Sequence, residues 1–325
     1  MNFDMKYNVI IISTLLTLTL LTGCEKTLDF KGEITESKLT IGALANPDTT
    51  FIMHLYKTVF FLNDAPLTME QSYSVSNATV QLTVNDNIRY NLSFDTAKQL
   101  YKTDYRPSVG DKLLITVSKE GFKTVTSNTT IKGRASFEIV DHHSFYSENP
   151  KKIMGDGMMH PIDFSGSDTI MNISCKINDP ANEKNYYRLN VRSLGSLKMG
   201  PLGTGDYAEA NDIFFSNDIL FLDNNMSASI NGWPKYFSNV FDDSLFDGKE
   251  YKFTVETRQR KNLYNWVEID LQHISADFYK YLKSIELAQC STNDIYAEPV
   301  KIFSNVENGY GILGSLTSKK FILKF

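Results

Sequence analysis

Apolar residues return at every second position in one short segment after another, and this constrains the fold more than any other feature of the chain. Val80, Leu82 and Val84 alternate with polar residues, as do Leu113, Ile115 and Val117. Successive side chains of a strand point to opposite faces, so a period of two marks antiparallel strands with one face in a core. Turn chemistry separates the segments: Asn46-Pro47-Asp48, Asn85-Asp86-Asn87, Pro107 to Gly110, and Glu120-Gly121. The spacing predicts strands at Lys38–Ala45, Phe51–Lys57, Ala78–Val84, Ile88–Phe94, Lys112–Lys119 and Lys123–Ile131. Short strands at this density, with no helical segment among them, imply an immunoglobulin-like β-sandwich over residues 37–133.

The pattern breaks near Lys132-Gly133-Arg134, which sets the expected boundary with a larger β-rich domain over residues 134–325. Strands are predicted there at Phe137–Val140, Thr169–Asn178, Tyr186–Leu194, Ile213–Leu222, Tyr251–Glu256, Trp266–Asp270 and Phe321–Phe325. Asp141–Gly157 reads as an irregular polar stretch, and Gly195–Ala210 as a long glycine-containing loop. One helix follows Ile274, capped by Ser275 with Asp277 in its first turn. Phe278, Tyr281, Leu282, Ile285 and Gln289 fall on or near one of its faces, a stripe that reads as core packing. The expected class is therefore mainly β, with one helix in the C-terminal half.

Residues 1–23 read as an export signal. The run from Val9 to Leu21 carries no charge and is shorter than the roughly 20 apolar residues that span a bilayer. It follows Lys6 and ends in Leu21-Thr22-Gly23-Cys24, small residues before a thiol, as at the lipidation site of a bacterial lipoprotein. A start at Met5 in place of Met1 would remove Asp4 from the positive region. Cys24 is the expected point of lipidation and membrane attachment, with residues 24–36 as a linker. Each buried CH₂ of an acyl anchor contributes about 0.8 kcal/mol, so several chains hold lastingly.

What remains is ordinary for a globular body, with hydrophobic content of 42% and mean hydropathy −0.25. A net charge of −5 argues against general nucleic-acid binding, which wants a basic face. Cys175 lies on the apolar side of the alternating segment Met171–Ile177 and reads as a buried free thiol. A Cys175–Cys290 bridge is the alternative.

No catalytic, metal or cofactor site is expected. His142-His143 with Asp141 and the more distant His160 match no zinc spacing. Asp242, Asp243 and Asp247 lack the alternating pattern of a calcium loop and read as a capped turn. Gly200–Gly205 lacks the Gly-Lys-Ser/Thr ending that holds phosphates. Trp266 lies in an alternating segment and reads as core, whereas Trp233, between Gly232 and Pro234, is a candidate ligand contact. Thr49, Thr96, Thr169 and Ser244 each follow an aspartate and precede a small or aliphatic residue or threonine. That arrangement resembles the O-glycosylation sequon of exported proteins in some Gram-negative bacteria, and solvated polar loops explain it as well.

The stretch Glu298-Pro299-Val300-Lys301-Ile302-Phe303-Ser304-Asn305-Val306-Glu307-Asn308-Gly309-Tyr310-Gly311-Ile312-Leu313-Gly314 resembles the C-terminal signature of the lipoprotein family called domain of unknown function 4249. The lipobox, Asn46-Pro47-Asp48, Asn77-Ala78-Thr79-Val80, Tyr105 with Pro107 and Gly110, Tyr186-Tyr187 and Phe246-Asp247-Gly248 agree in order, so the resemblance spans the mature chain. The proline expected after the first domain is replaced by Lys132. Asn308-Gly309 and Gly311 suit a tight turn and close backbone approach, so the signature reads as structural. The resemblance implies a non-enzymatic outer-membrane lipoprotein of a Gram-negative bacterium, with a regulatory-domain-like N-terminal sandwich, that accompanies a TonB-dependent transporter. Adhesion to a surface or matrix, and metal-dependent hydrolysis through His142, His143 or His160, are the competing readings.

Overall fold

The computed structural model describes residues 36–59, 73–147, 168–194, 198–199, 203–204, 210–211, 214, 216–222, 238–260, 266–292 and 298–324. The protein is mainly β. Its first eight strands are β1 (Leu39–Ala45), β2 (Ile52–Lys57), β3 (Thr79–Val84), β4 (Ile88–Asn91), β5 (Ser93–Asp95), β6 (Leu100–Lys102), β7 (Lys112–Ser118) and β8 (Val125–Thr130). One layer runs β1-β2-β6-β5 and the other β4-β3-β7-β8. Their facing side chains form one cluster, with Ile41, Met53 and Leu55 from the first layer and Leu82, Leu113 and Ile115 from the second. Full burial of each such side chain contributes about 1.5–3 kcal/mol, so the alternation is what pays for the sandwich.

The segment expected as one strand, Ile88–Phe94, divides at Leu92: β4 pairs with β3, whereas β5 pairs with β6 in the opposite layer. The Leu92 amide donates to Val80 O at 2.9 Å at the crossing point.

The second half contributes β9 (Ser136–Ser147), β10 (Asp168–Asn178), β11 (Tyr186–Leu194), the short pieces β12 (Lys198–Met199), β13 (Gly203–Thr204) and β14 (Ala210–Asn211), then β15 (Val240–Asp242), β16 (Glu250–Arg260), β17 (Trp266–Ile274) and β18 (Tyr310–Lys324). A three-stranded sheet, β16-β10-β9, packs Phe137, Ile173, Cys175 and Phe253 against Leu189, Val191, Ile269 and Leu271 of β11 and β17. Cys175 is a free thiol in this core, and burial pushes its pKa up to about 12. No Cys175–Cys290 bridge forms.

Three expectations need correction. β9 does not stop at Val140; it continues through Asp141–Ser147, because β10 offers a full-length partner and the register shift at Ser174/Cys175 absorbs one extra residue. Asp141 to Ser147 is therefore strand, and the remainder of the expected irregular stretch lies outside the described residues. Within the expected strand Ile213–Leu222, Ile219–Phe221 is a single 3₁₀ turn capped by Asp218, whose carboxylate accepts from the Leu220 amide at 2.9 Å. Phe221 then lies edge-on to Phe214, Phe241 and Phe253, a packing that a turn permits. The terminal strand begins at Tyr310, not Phe321.

That early start shapes the whole fold. Tyr310–Ser315 of β18 pairs in parallel with β1, and Leu316–Lys324 pairs antiparallel with β17. One continuous sheet results, in the order β14-β11-β17-β18-β1-β2-β6-β5. The division expected at residue 133 falls between β8 and β9, and β18 runs back across it; Ser37–Phe325 is one compact unit. The helix α1 (Ala276–Thr292) caps this junction. Ser275 Oγ accepts from the Phe278 amide at 3.4 Å and from the Ser315 amide at 3.2 Å, so one hydroxyl starts the helix and docks it on β18. Phe278 packs with Ile274, Ile312 and Leu316, as the stripe implies, whereas Gln289 is exposed. Ser284 is buried on this helix, its hydroxyl donating to Tyr281 O and accepting from the Phe303 amide.

Candidate functional site: a polar basin over the central sheet

Alternation on β11 and β17 puts Leu189, Val191, Ile269 and Leu271 into the core and sends Arg188, Asn190, Arg192, Glu268, Asp270 and Gln272 to the opposite face. Cross-strand register then sets Arg188 opposite Gln272, Asn190 opposite Asp270 and Arg192 opposite Glu268. β18 adds Lys320 opposite Asp270 and Ser318 opposite Gln272. A half-polar strand ordinarily shows this face to water. Here Asp270 is 3% exposed and Gln272 8%, beneath a cavity of about 410 Å³ that Asn46, Asn239 and Phe214 help to line.

The polar groups of this floor are unequally satisfied. Glu268 is held by Arg192, whose Nε donates to Oε1 at 3.0 Å, with Lys320 Nζ at 3.6 Å. Asn239 donates to Asn190 at 3.3 Å. Asp270 Oδ2 accepts from Gln272 Nε2 at 2.8 Å and from Ser318 at 3.3 Å. Asp270 Oδ1, Gln272 Oε1 and Arg188 Nε, all buried, have no hydrogen-bond partner among the described residues. Leaving such a group unpaired costs about 1–3 kcal/mol, more for a charged one. Burial pushes the Asp270 carboxyl up from its ordinary pKa and the Arg188 guanidinium down. A buried polar group without a protein partner marks a place where water, an ion or a ligand can supply one.

A second polar group lies under the core face of β11. Tyr187 donates to Asp179 at 2.6 Å, and the Gly248 amide donates to the other carboxylate oxygen at 3.2 Å. Asp243 accepts from the Asn185 amide at 2.6 Å and pairs with Lys184 at 2.7 Å. Asp179, Asp243 and Asp247 bring carboxylate oxygens within 4.8 Å of one another, but the first two are already held by these donors. Asp242 Oδ1 accepts from the Ser244 amide at 2.8 Å, the capped turn expected there.

His273, on the same side, donates from Nδ1 to Gly133 O at 2.8 Å, which leaves Nε2 buried and without a partner among the described residues. Burial depresses its pKa below the usual value. A depressed histidine stabilises the fold above its unfolded pKa of about 6.5, and that contribution is lost as pH falls through the lower folded value. The denaturation midpoint should therefore fall more steeply from pH 7.5 to 5 in the native protein than in His273→Gln. Parallel profiles would exclude His273 as the titrating group.

The residues singled out from the sequence do not meet here. Cys24, Trp233 and His160 lie outside the described residues. Trp266, expected in the core, is 42% exposed at the end of β17 with Lys324 Nζ 5.8 Å above its ring, because the alternation puts Val267 inward instead. His142 and His143 are adjacent on β9, so their side chains leave opposite faces. Thr49, Thr96 and Ser244 are exposed in turns, Ser244 accepting from Lys184 at 2.7 Å, and Thr169 is half-buried in β10. Sequence reasoning missed Arg188, Asp270 and Gln272. Their signal was the run Glu268, Asp270, Gln272 on a strand whose opposite face carries Val267, Ile269 and Leu271, which alone reads as a solvated surface.

The glycines of the C-terminal signature are tied to packing. Gly311 has φ of +101°, and a Cβ there would fall on the Ile41 carbonyl. At Gly309 it would lie 2.6 Å from Leu39 O, and at Gly314 2.9 Å from Phe278 Cβ. The motif lets β18 lie against β1 and lets α1 lie against β18. A comparison with curated proteins finds no match. The family whose members are described as a domain of unknown function, DUF4249, matches residues 25–322, and the chain belongs to it.

Proposed function

We propose that the protein is a non-enzymatic lipoprotein of the outer membrane, attached through Cys24, that serves as a capture component for a TonB-dependent transporter. The observation that carries this reading is the half-open basin over β11, β17 and β18, where buried polar atoms have no hydrogen-bond partner among the described residues. Membership of the family, the Leu21-Thr22-Gly23-Cys24 motif and the two-layer N-terminal sandwich agree with it. A tethered body raises the concentration of its ligand at the pore without needing high intrinsic affinity. Residues 195–210 are the proposed contact with the transporter, and Thr49, Thr96, Thr169 and Ser244 the proposed glycosylation sites.

The test is isolation of the anchored protein from gently solubilised outer membrane, with mass spectrometry of the intact chain and of whatever accompanies it. A TonB-dependent transporter in stoichiometric amount, a lipid-modified Cys24 and a soluble Cys24→Ala form are expected. A protein that arrives alone overturns the transporter assignment and favours adhesion. An intact mass equal to peptide plus lipid removes the glycans.

A further inference from the structure

We infer that the basin binds a small zwitterion of the α-amino acid class, its carboxylate taken by Arg188 and its ammonium group by Asp270 and Gln272. The inference rests on the capture reading for its purpose and on the side chains alone for its chemistry. The Arg188 side chain makes no hydrogen bond or ion pair among the described residues. The acidic groups that influence it electrostatically, Asp270 and Glu286, are engaged elsewhere: Asp270 by Gln272 and Ser318, Glu286 by Ser238 and Lys283. A guanidinium is a planar donor whose natural complement is a carboxylate. The other two unpartnered atoms, Asp270 Oδ1 and Gln272 Oε1, are acceptors on neighbouring positions of one face of β17. They call for a donor, and the carboxylate makes a cationic one best.

The two demands exclude the simpler ligands. A plain anion would satisfy Arg188 but meet Asp270 with like charge and leave both acceptors bare. A plain amine would leave the part-buried Arg188 guanidinium without a hydrogen-bonded counter-charge. Only a molecule carrying both charges a few bonds apart completes the floor, because Arg188 and Gln272 are directly opposed across the β11–β17 ladder and Asp270 lies two residues along. The cavity of about 410 Å³ lies at the small end of ligand sites, which suits one amino acid better than an oligosaccharide. Leu316 and Phe214 supply apolar lining for a side chain, and Asn46 enters from the end of β1.

The experiment uses the purified full-length protein in detergent, without a transporter. Each of the twenty free L-amino acids is titrated by calorimetry against its N-acetyl and methyl ester derivatives. At least one free amino acid should bind, with both derivatives weakened at least about tenfold, since each removes one charged partner. Arg188→Met and Asp270→Asn should weaken it by about thirtyfold or more. The thermal midpoint of ligand-free Arg188→Met should equal or exceed that of the native protein, because a part-buried charge with an unpartnered Nε has been removed; a structural role for Arg188 predicts a fall. No binding by any free amino acid, or equal binding of the blocked derivatives, would overturn the assignment. So would Arg188→Met that melts lower, or that still binds. Binding by a protein that co-isolates with no transporter would retain this site and reject only the capture role.

Discussion

Gly311→Ala is expected to abolish the native fold. Its φ of +101° is disfavoured for any residue with a side chain, and the added Cβ would overlap the Ile41 carbonyl oxygen, with Ile41 C at 2.9 Å. The overlapped atoms belong to the backbone of β1, paired on its other side with β2, so no rotamer change relieves it. Relief requires separating β18 from β1, which opens the sheet at the point where its two halves join. The loss should exceed about 4 kcal/mol, the range reserved for backbone conflict and broken cores. Denaturant unfolding, or accumulation of soluble protein if the variant cannot be purified, measures it. Gly42→Ala is the control: it lies on β1 opposite Ile312, and its new Cβ would meet only His54 Cβ at 3.9 Å. Gly42→Ala should change stability by no more than about 1 kcal/mol. Equal effects at the two glycines would defeat the explanation.

Asn305→Ala should produce the second-largest loss, about 3 kcal/mol. Asn305 stands in for a strand. Its Oδ1 accepts from the Leu313 amide at 3.0 Å and its Nδ2 donates to Leu313 O at 3.0 Å. Along β18 every second residue thus finds a partner: Thr317 pairs with His273, Ser315 with Ser275, and Leu313 with Asn305 after β17 has ended. The same side chain accepts from Ser127 Oγ at 3.0 Å and donates to Asn128 O and Asp277, joining β8, β18 and α1. Alanine leaves the Leu313 amide and carbonyl bare in a residue that is fully buried. Asn305→Asp keeps the acceptor but loses every donor and sets a carboxylate against Asp277, so it should also destabilise, and less so at low pH. Stability within about 0.5 kcal/mol of native for Asn305→Ala would show that water replaces the amide.

Both positions belong to the stretch Glu298–Gly314 that carries the resemblance to the family, and both act on structure. The signature's function in the sense of ligand chemistry is therefore indirect: it holds the sheet on which Arg188, Asp270 and Gln272 are carried.

Much of this architecture is legible without coordinates. The period of two assigns Val80, Leu82 and Val84, and Leu113, Ile115 and Val117, to one core, and it places Cys175 inside. Ser275 announces its helix, and Asn308-Gly309 with Gly311 announces a close approach. These are local facts, decided by bonds and sterics within a few residues. Which face of a strand is covered, and by what, depends on partners far along the chain. Alternation says that Glu268, Asp270 and Gln272 share a face; it cannot say that the face is buried, nor that Arg188 will stand across from Gln272. For the same reason β9 outruns its apolar residues once β10 lies beside it, and Trp266 is left half outside at the end of its strand. Residue chemistry determined the strands and their inner faces, and only the long-range pairing of β11, β17 and β18 decided that three polar atoms without partners among the described residues would line one basin.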